Sequence, residues 1–135
     1  MIGLDTNILI RLLVEDDPRQ VKAARELVAN AVAKGELLRV DPIVLCEVVW
    51  VLRTAYRVPK VRIVNALEGL LSAAELEVGD ADPVRDALED FRVGKGDFAD
   101  YVIARRNRAA GCDATATFDR VHSGGSLFQV LAAHR

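Results

Sequence analysis

Apolar positions along this chain fall in short runs, and the spacing within each run separates strand from helix. Met1, Ile2, Gly3 and Leu4 make a brief continuous run, as in a buried strand, and it ends on Asp5. Asp5 or Thr6 can cap a helix over residues 7–15, where Ile8, Leu9, Leu12 and Leu13 share one stripe. The break at Asp16, Asp17 and Pro18 precedes a second helix, in which Val21, Ala24, Val28, Ala31 and Val32 are predicted to face one way and Gly35 to stop the turn. Residues 37–40 read as the second strand. Asp41 and Pro42 then place an aspartate at the cap and a proline in the first turn of a helix predicted to run to about Tyr56.

Pro59 opens a further helix, with Ile63, Val64, Leu67, Leu70 and Leu71 at helical spacing, so residues 42–72 form a helical hairpin. Residues 75–78 carry a weak strand pattern. Asp82 and Pro83 open a helix through about Arg92, residues 94–96 are a loop, and Asp97 starts a helix predicted to end near Gly111. Residues 114–118 and 127–131 complete the strands. Strands alternating with helices of about ten or more residues make right-handed crossovers and a mostly parallel sheet. The expected class is therefore α/β, a central, mostly parallel sheet flanked by helices on both faces. The chain has 135 residues and is 51% hydrophobic, without repeats or Gly/Ser linkers, so residues 1–135 are expected to form one domain.

Charge changes this picture by exclusion. A formal net charge of -2 argues against holding nucleic acid by bulk positive charge, so any such contact must be local. Acids concentrate between Glu75 and Asp100, whereas Arg105, Arg106, Arg108, Arg120 and Arg135 lie beyond Tyr101; mixed charge on solvated helix faces accounts for most of them. No apolar stretch approaches the roughly 20 residues that span a bilayer, and the N-terminus lacks a basic leader, so a cytoplasmic protein without a membrane segment is expected. Cys46 and Cys112 stand apart from any CxxC pair and are expected to be reduced core thiols.

The chemistry resides in carboxylates whose positions need explaining. Asp5 follows the first strand at its carboxyl end, the edge of open parallel sheets where ligands bind, and Asp119 follows Thr117 and Phe118 in the same way. A turn or helix-cap role is the ordinary explanation of each. Glu47 lies in a helix apolar nearly all round, with Ile43, Val44, Trp50 and Val51 three and four positions away, and is therefore expected to be buried without a local cation. A metal, a raised pKa or a distant arginine such as Arg11 would resolve that cost. Asp97 is placed to cap its helix, and Asp100 falls near the third helical position, where the helix dipole favours an ionised carboxylate. The first turn of that helix is expected to lie over the strand ends that carry Asp5 and Asp119.

Such a cluster suits a hard cation such as Mg²⁺, which takes oxygen ligands and activates water for attack on phosphate. Zinc is poorly served, because His122 and His134 fall at no zinc-ligand spacing with the cysteines. Neither GxxxxGK[ST] nor GxGxxG occurs, and Ser123 to Ser126 reads as a flexible turn.

Four motifs carry a family resemblance: Leu4-Asp5-Thr6-Asn7; Glu47 within its long helix; residues 97–104, from Asp97 to Ala104; and Thr117-Phe118-Asp119. In this order, across nearly the whole chain, they resemble the PIN-domain ribonucleases, specifically the VapC toxins of type II toxin–antitoxin pairs. The resemblance implies an endoribonuclease dependent on Mg²⁺ or Mn²⁺ that cuts tRNA or ribosomal RNA. It implies Asp5, Glu47 and Asp100 as core metal ligands and Asp119 as a fourth, with Thr6, Asn7 and Thr117 orienting them. Asp97 stays a helix cap first and an auxiliary site residue second. A VapB-like antitoxin and a homodimer are implied too, and the 42–72 hairpin offers an apolar surface for pairing. Where relatives often continue with another acid and an aromatic, this chain has Arg120-Val121-His122, which leaves a single-metal mechanism open.

Two other readings stand beside this one. A silent PIN-like module that binds RNA or protein would keep the carboxylates only as caps, and intact acids at all four positions count against it. A phosphotransfer site with Asp5 as nucleophile would want a second aspartate where Asn7 stands.

Overall fold

The computed structural model describes residues 1–133; His134 and Arg135 lie outside the described residues. Aspartates set the helix starts. Asp5 caps α1 (Thr6–Leu13), Asp17 caps α2 (Pro18–Lys34) and Asp41 caps α3 (Pro42–Thr54), each accepting backbone N–H groups of the first turn that have no partner inside the helix. Gly35 ends α2 at φ 66, in the left-handed region that favours glycine. The starts at Pro18 and Pro42 and the stop at Gly35 therefore agree with expectation.

The chain divides into two compact units, Met1–Ala81 and a second from Asp82 onward. In the first, β1 (Ile2–Leu4), β2 (Leu38–Val40) and β3 (Leu76–Val78) form a parallel sheet in the order β1-β2-β3, with Leu4 opposite Val40 and Val40 opposite Val78. α1 and α2 form the first crossover, and α3 with α4 (Lys60–Ser72) the second. Leu9, Ile10, Leu38, Val40, Leu45, Val48, Ile63 and Leu67 fill the core. Arg39 faces Glu77 across the β2–β3 register and pairs with it at 2.9 Å.

In the second unit, β4 (Thr115–Thr117) pairs in parallel with β5 (Phe128–Val130), beside α5 (Ala81–Val93) and α6 (Phe98–Ala109). Val84, Leu88, Phe91, Phe98 and Val102 are buried, and Phe91 meets Phe98 edge to face at 5.8 Å. Arg105 of α6 clasps Asp90 of α5 through two hydrogen bonds of 2.6 and 2.8 Å, which holds its guanidinium pKa above the ordinary value despite partial desolvation.

The class is α/β with parallel pairing throughout. Three expectations need correction. Val32 is exposed, so the buried face of α2 is narrower than its apolar pattern. The stripe of α1 centres on Leu9 and Ile10, with Leu12 and Leu13 only half-buried. Cys112 is exposed and Cys46 half-buried, so neither is a core thiol. Between β4 and β5 the chain makes a 3₁₀ turn at Arg120–His122 and a loop over residues 123–126, the stretch read as a turn. No helix among the described residues is long and apolar enough to cross a membrane.

Candidate metal centre

In the first unit the candidate residues sit at the carboxyl end of β1. Asp5 leaves the strand and turns directly into α1; its Oδ1 accepts from the amides of Asn7 at 2.8 Å and Ile8 at 3.4 Å. Thr6, the first residue of α1, donates its hydroxyl to Glu47 Oε2 at 2.8 Å, and α1 packs against α3. That bond brings Glu47 to the helix start that Asp5 caps. Asn7 serves Asp5 through its backbone amide, and its side chain is exposed.

Glu47 is exposed, against the expectation of a buried carboxylate. α3 is apolar nearly all round, yet Ile43 and Trp50, four positions before and three after Glu47, are 60% and 67% exposed, so this face of the helix looks outward. Arg11 does not compensate Glu47. It binds Asp16 and Tyr56 instead, and the Tyr56 hydroxyl, with Arg11 behind it, keeps the Asp16 carboxyl below its ordinary pKa against partial desolvation.

The second unit holds the other half of the candidate set. Asp100 occupies the third position of α6, where the helix dipole favours its charge. Asp119 follows β4 and caps the 3₁₀ turn, its Oδ1 accepting from the Val121 amide at 3.0 Å, while its own amide donates to Thr117 Oγ1 at 3.1 Å. α6 packs on β4, which places the start of α6 beside the end of that strand. One ligand atom from each of Asp100, Asp119 and His122 lies within 4.8 Å of the others. Asp97 holds the N-cap position of α6, but its side chain makes no capping bond.

His122 was not among the residues expected to serve the site. Side chains three apart eclipse on a 3₁₀ helix, so the turn after β4 brings His122 alongside Asp119. Nothing in local spacing announces its contact with Asp100, 22 positions away, where Nε2 meets Oδ2 at 3.1 Å. A groove of about 350 Å³ opens beside it, lined in part by Tyr101, Arg105, Arg108, Ser123 and Phe128. Both arginines have structural partners: Arg105 binds Asp90, and Arg108 donates to the carbonyls of Asp113 and Ser126.

Each of the four carboxylates thus has one oxygen fixed: Asp5 by amides, Glu47 by Thr6, Asp100 by His122, and Asp119 by the Val121 amide. The other oxygen of each takes no hydrogen bond among the described residues. Within the second unit, Asp100 and Asp119 stand together and are oxygen donors of the type a hard divalent cation takes. Among family models, the one described as PIN domain matches residues 2–123. No curated protein matches the chain.

Proposed function

Because the chain belongs to the PIN domain family, whose members are generally metal-dependent nucleases, we propose that it is a metal-dependent endoribonuclease and the toxin of a toxin–antitoxin pair. Asp5, Glu47, Asp100 and Asp119 are its working carboxylates, and Mg²⁺ or Mn²⁺ its cofactor. The strongest support is that each carboxylate is anchored through one oxygen, with Asp100 and Asp119 close enough to repel one another unless a cation compensates them.

When bound, the metal supplies positive charge against the phosphate and lowers the pKa of a water molecule. The chain's own part is orientation. Thr6 holds Glu47, the first amides of α1 hold Asp5, and the 3₁₀ turn holds Asp119. Exposed Arg120, next to Asp119, supplies local positive charge for an RNA phosphate in a chain that is acidic overall. tRNA or ribosomal RNA as substrate, and a VapB-like antitoxin as inhibitor, rest on the resemblance to VapC toxins. A homodimer through the α3–α4 hairpin is supported by the exposure of Ile43, Trp50 and Val61.

Asp5 and Asp119 also cap turns, as they would in a catalytically silent module. Asparagine caps as well as aspartate does, so Asp5→Asn and Asp100→Asn separate chemistry from folding. Both variants are expected to fold, to lose cleavage of RNA in the presence of Mg²⁺ or Mn²⁺, and to relieve growth inhibition. Cleavage at the wild-type rate by both purified variants would sink the nuclease assignment.

A further inference from the structure

His122 is the one polar residue among the buried side chains described, and its side chain is only 2% exposed. Its ring stacks on Phe128 at 3.8 Å and 16°, and meets the edge of Tyr101 at 5.2 Å. A third side is closed by backbone: a Cβ on Gly96 would come within 2.3 Å of the His122 Cε1 and 3.0 Å of its Nε2. The Gly96 amide in turn donates to the Tyr101 hydroxyl at 3.0 Å. Packing therefore fixes the plane and edge of the ring, and the Nε2 it directs meets Asp100 Oδ2 at 3.1 Å.

That contact determines which atom carries the proton. An ionised carboxylate only accepts, so the bond exists only if Nε2 is the protonated nitrogen. A nitrogen carrying a proton has no lone pair for a cation. Although His122 lies within the same cluster as Asp100 and Asp119, its Nε2 is thereby committed to a carboxylate.

Building on Asp100 as a metal-binding carboxylate, we propose that His122 is a positioning residue: it donates from Nε2 to one oxygen of Asp100, leaving the other turned to the cation. The ring provides by packing what a flexible polar side chain would have to provide by losing rotamer freedom. Partners of metal-binding side chains change metal affinity by about 10- to 100-fold when removed.

The test is Mn²⁺ binding to the full chain, followed by calorimetry in the wild type and in His122→Phe, His122→Gln and Asp100→Asn. Phenylalanine keeps the stacked ring without the donor, and glutamine keeps a donor without the ring. The expected result is affinity at least about tenfold weaker in His122→Phe, partial recovery in His122→Gln, and loss in Asp100→Asn. Wild-type affinity in His122→Phe, or equal losses in the phenylalanine and glutamine variants, overturns the positioning role. Loss in Asp100→Asn alongside either result leaves the nuclease proposal standing. A wild-type chain that binds no Mn²⁺ overturns both. Should His122→Phe not fold, long-range ¹H–¹⁵N spectra of the wild-type imidazole decide: the Nε2–H form is expected, and the Nδ1–H form overturns the proposal.

Discussion

Thr6 Oγ1 donates to Glu47 Oε2 at 2.8 Å, linking the first turn of α1 to α3 across 41 positions of sequence. Since Glu47 is exposed, the bond stabilises the fold by at most about 1 kcal/mol, and its larger effect lies in holding a carboxylate still. Thr6→Val is expected to leave the melting temperature nearly unchanged while weakening Mn²⁺ binding several-fold, and Thr6→Ser to restore it. Identical titrations for Thr6→Val and the wild type would remove Thr6 from the site.

Metal removal gives an independent measurement. A ligand that binds only the folded chain at a hundred times its dissociation constant adds about 2.7 kcal/mol of stability. Mn²⁺ should therefore raise the melting temperature, a chelator should reverse the rise, and Asp100→Asn should show neither effect. A melting curve indifferent to Mn²⁺ would count against any resident cation.

Two glycines should respond to alanine with opposite signs. At Gly96 a Cβ meets His122 and Tyr101 at 2.3 and 2.9 Å, so Gly96→Ala is expected to cost about 1–3 kcal/mol in denaturant titrations. At Gly69, inside α4, nothing lies within 4 Å, and alanine should stabilise by about 0.5–1 kcal/mol through its better helix propensity. Equal responses at the two positions would contradict the close packing around the His122 ring.

Acid unfolding should register Tyr56. The Tyr56 hydroxyl is the largest cause of the lowered Asp16 pKa, ahead of the opposing desolvation and the charge of Arg11. A depressed carboxyl stabilises the fold above its ordinary pKa of 3.8, and that contribution is lost as pH falls through the lower folded value. Tyr56→Phe should therefore melt earlier than wild type near neutral pH, with the gap closing in acid. A gap that widened as pH fell would reverse the assigned sign.

The framework was legible because its signals are local. Asp17 with Pro18, Asp41 with Pro42, and Gly35 each act within one turn, and all fell where the structure has them. Asp5 and Asp119 could be placed at strand ends for the same reason. Glu47 was harder: an apolar periphery marks residues that avoid water, but does not separate a helix sunk in the core from one whose outer face carries Ile43 and Trp50. His122 was out of reach, because its significance depends on Asp100 and Phe128, neither on its own turn. The 3₁₀ turn at Arg120–His122 was hidden too, since three residues have no periodicity to read, although the short link over residues 123–126 was legible.

That short link has a practical consequence. The PIN match stops at residue 123, whereas Phe128, the shelf on which the His122 ring rests, belongs to β5. A protein trimmed to its recognisable family segment would keep every acidic residue of the proposed centre and lose the floor beneath the histidine that meets Asp100. Fusion partners and tags at this end are best attached beyond Val130, and inactivity in a shorter version would report a missing strand before it reported missing chemistry.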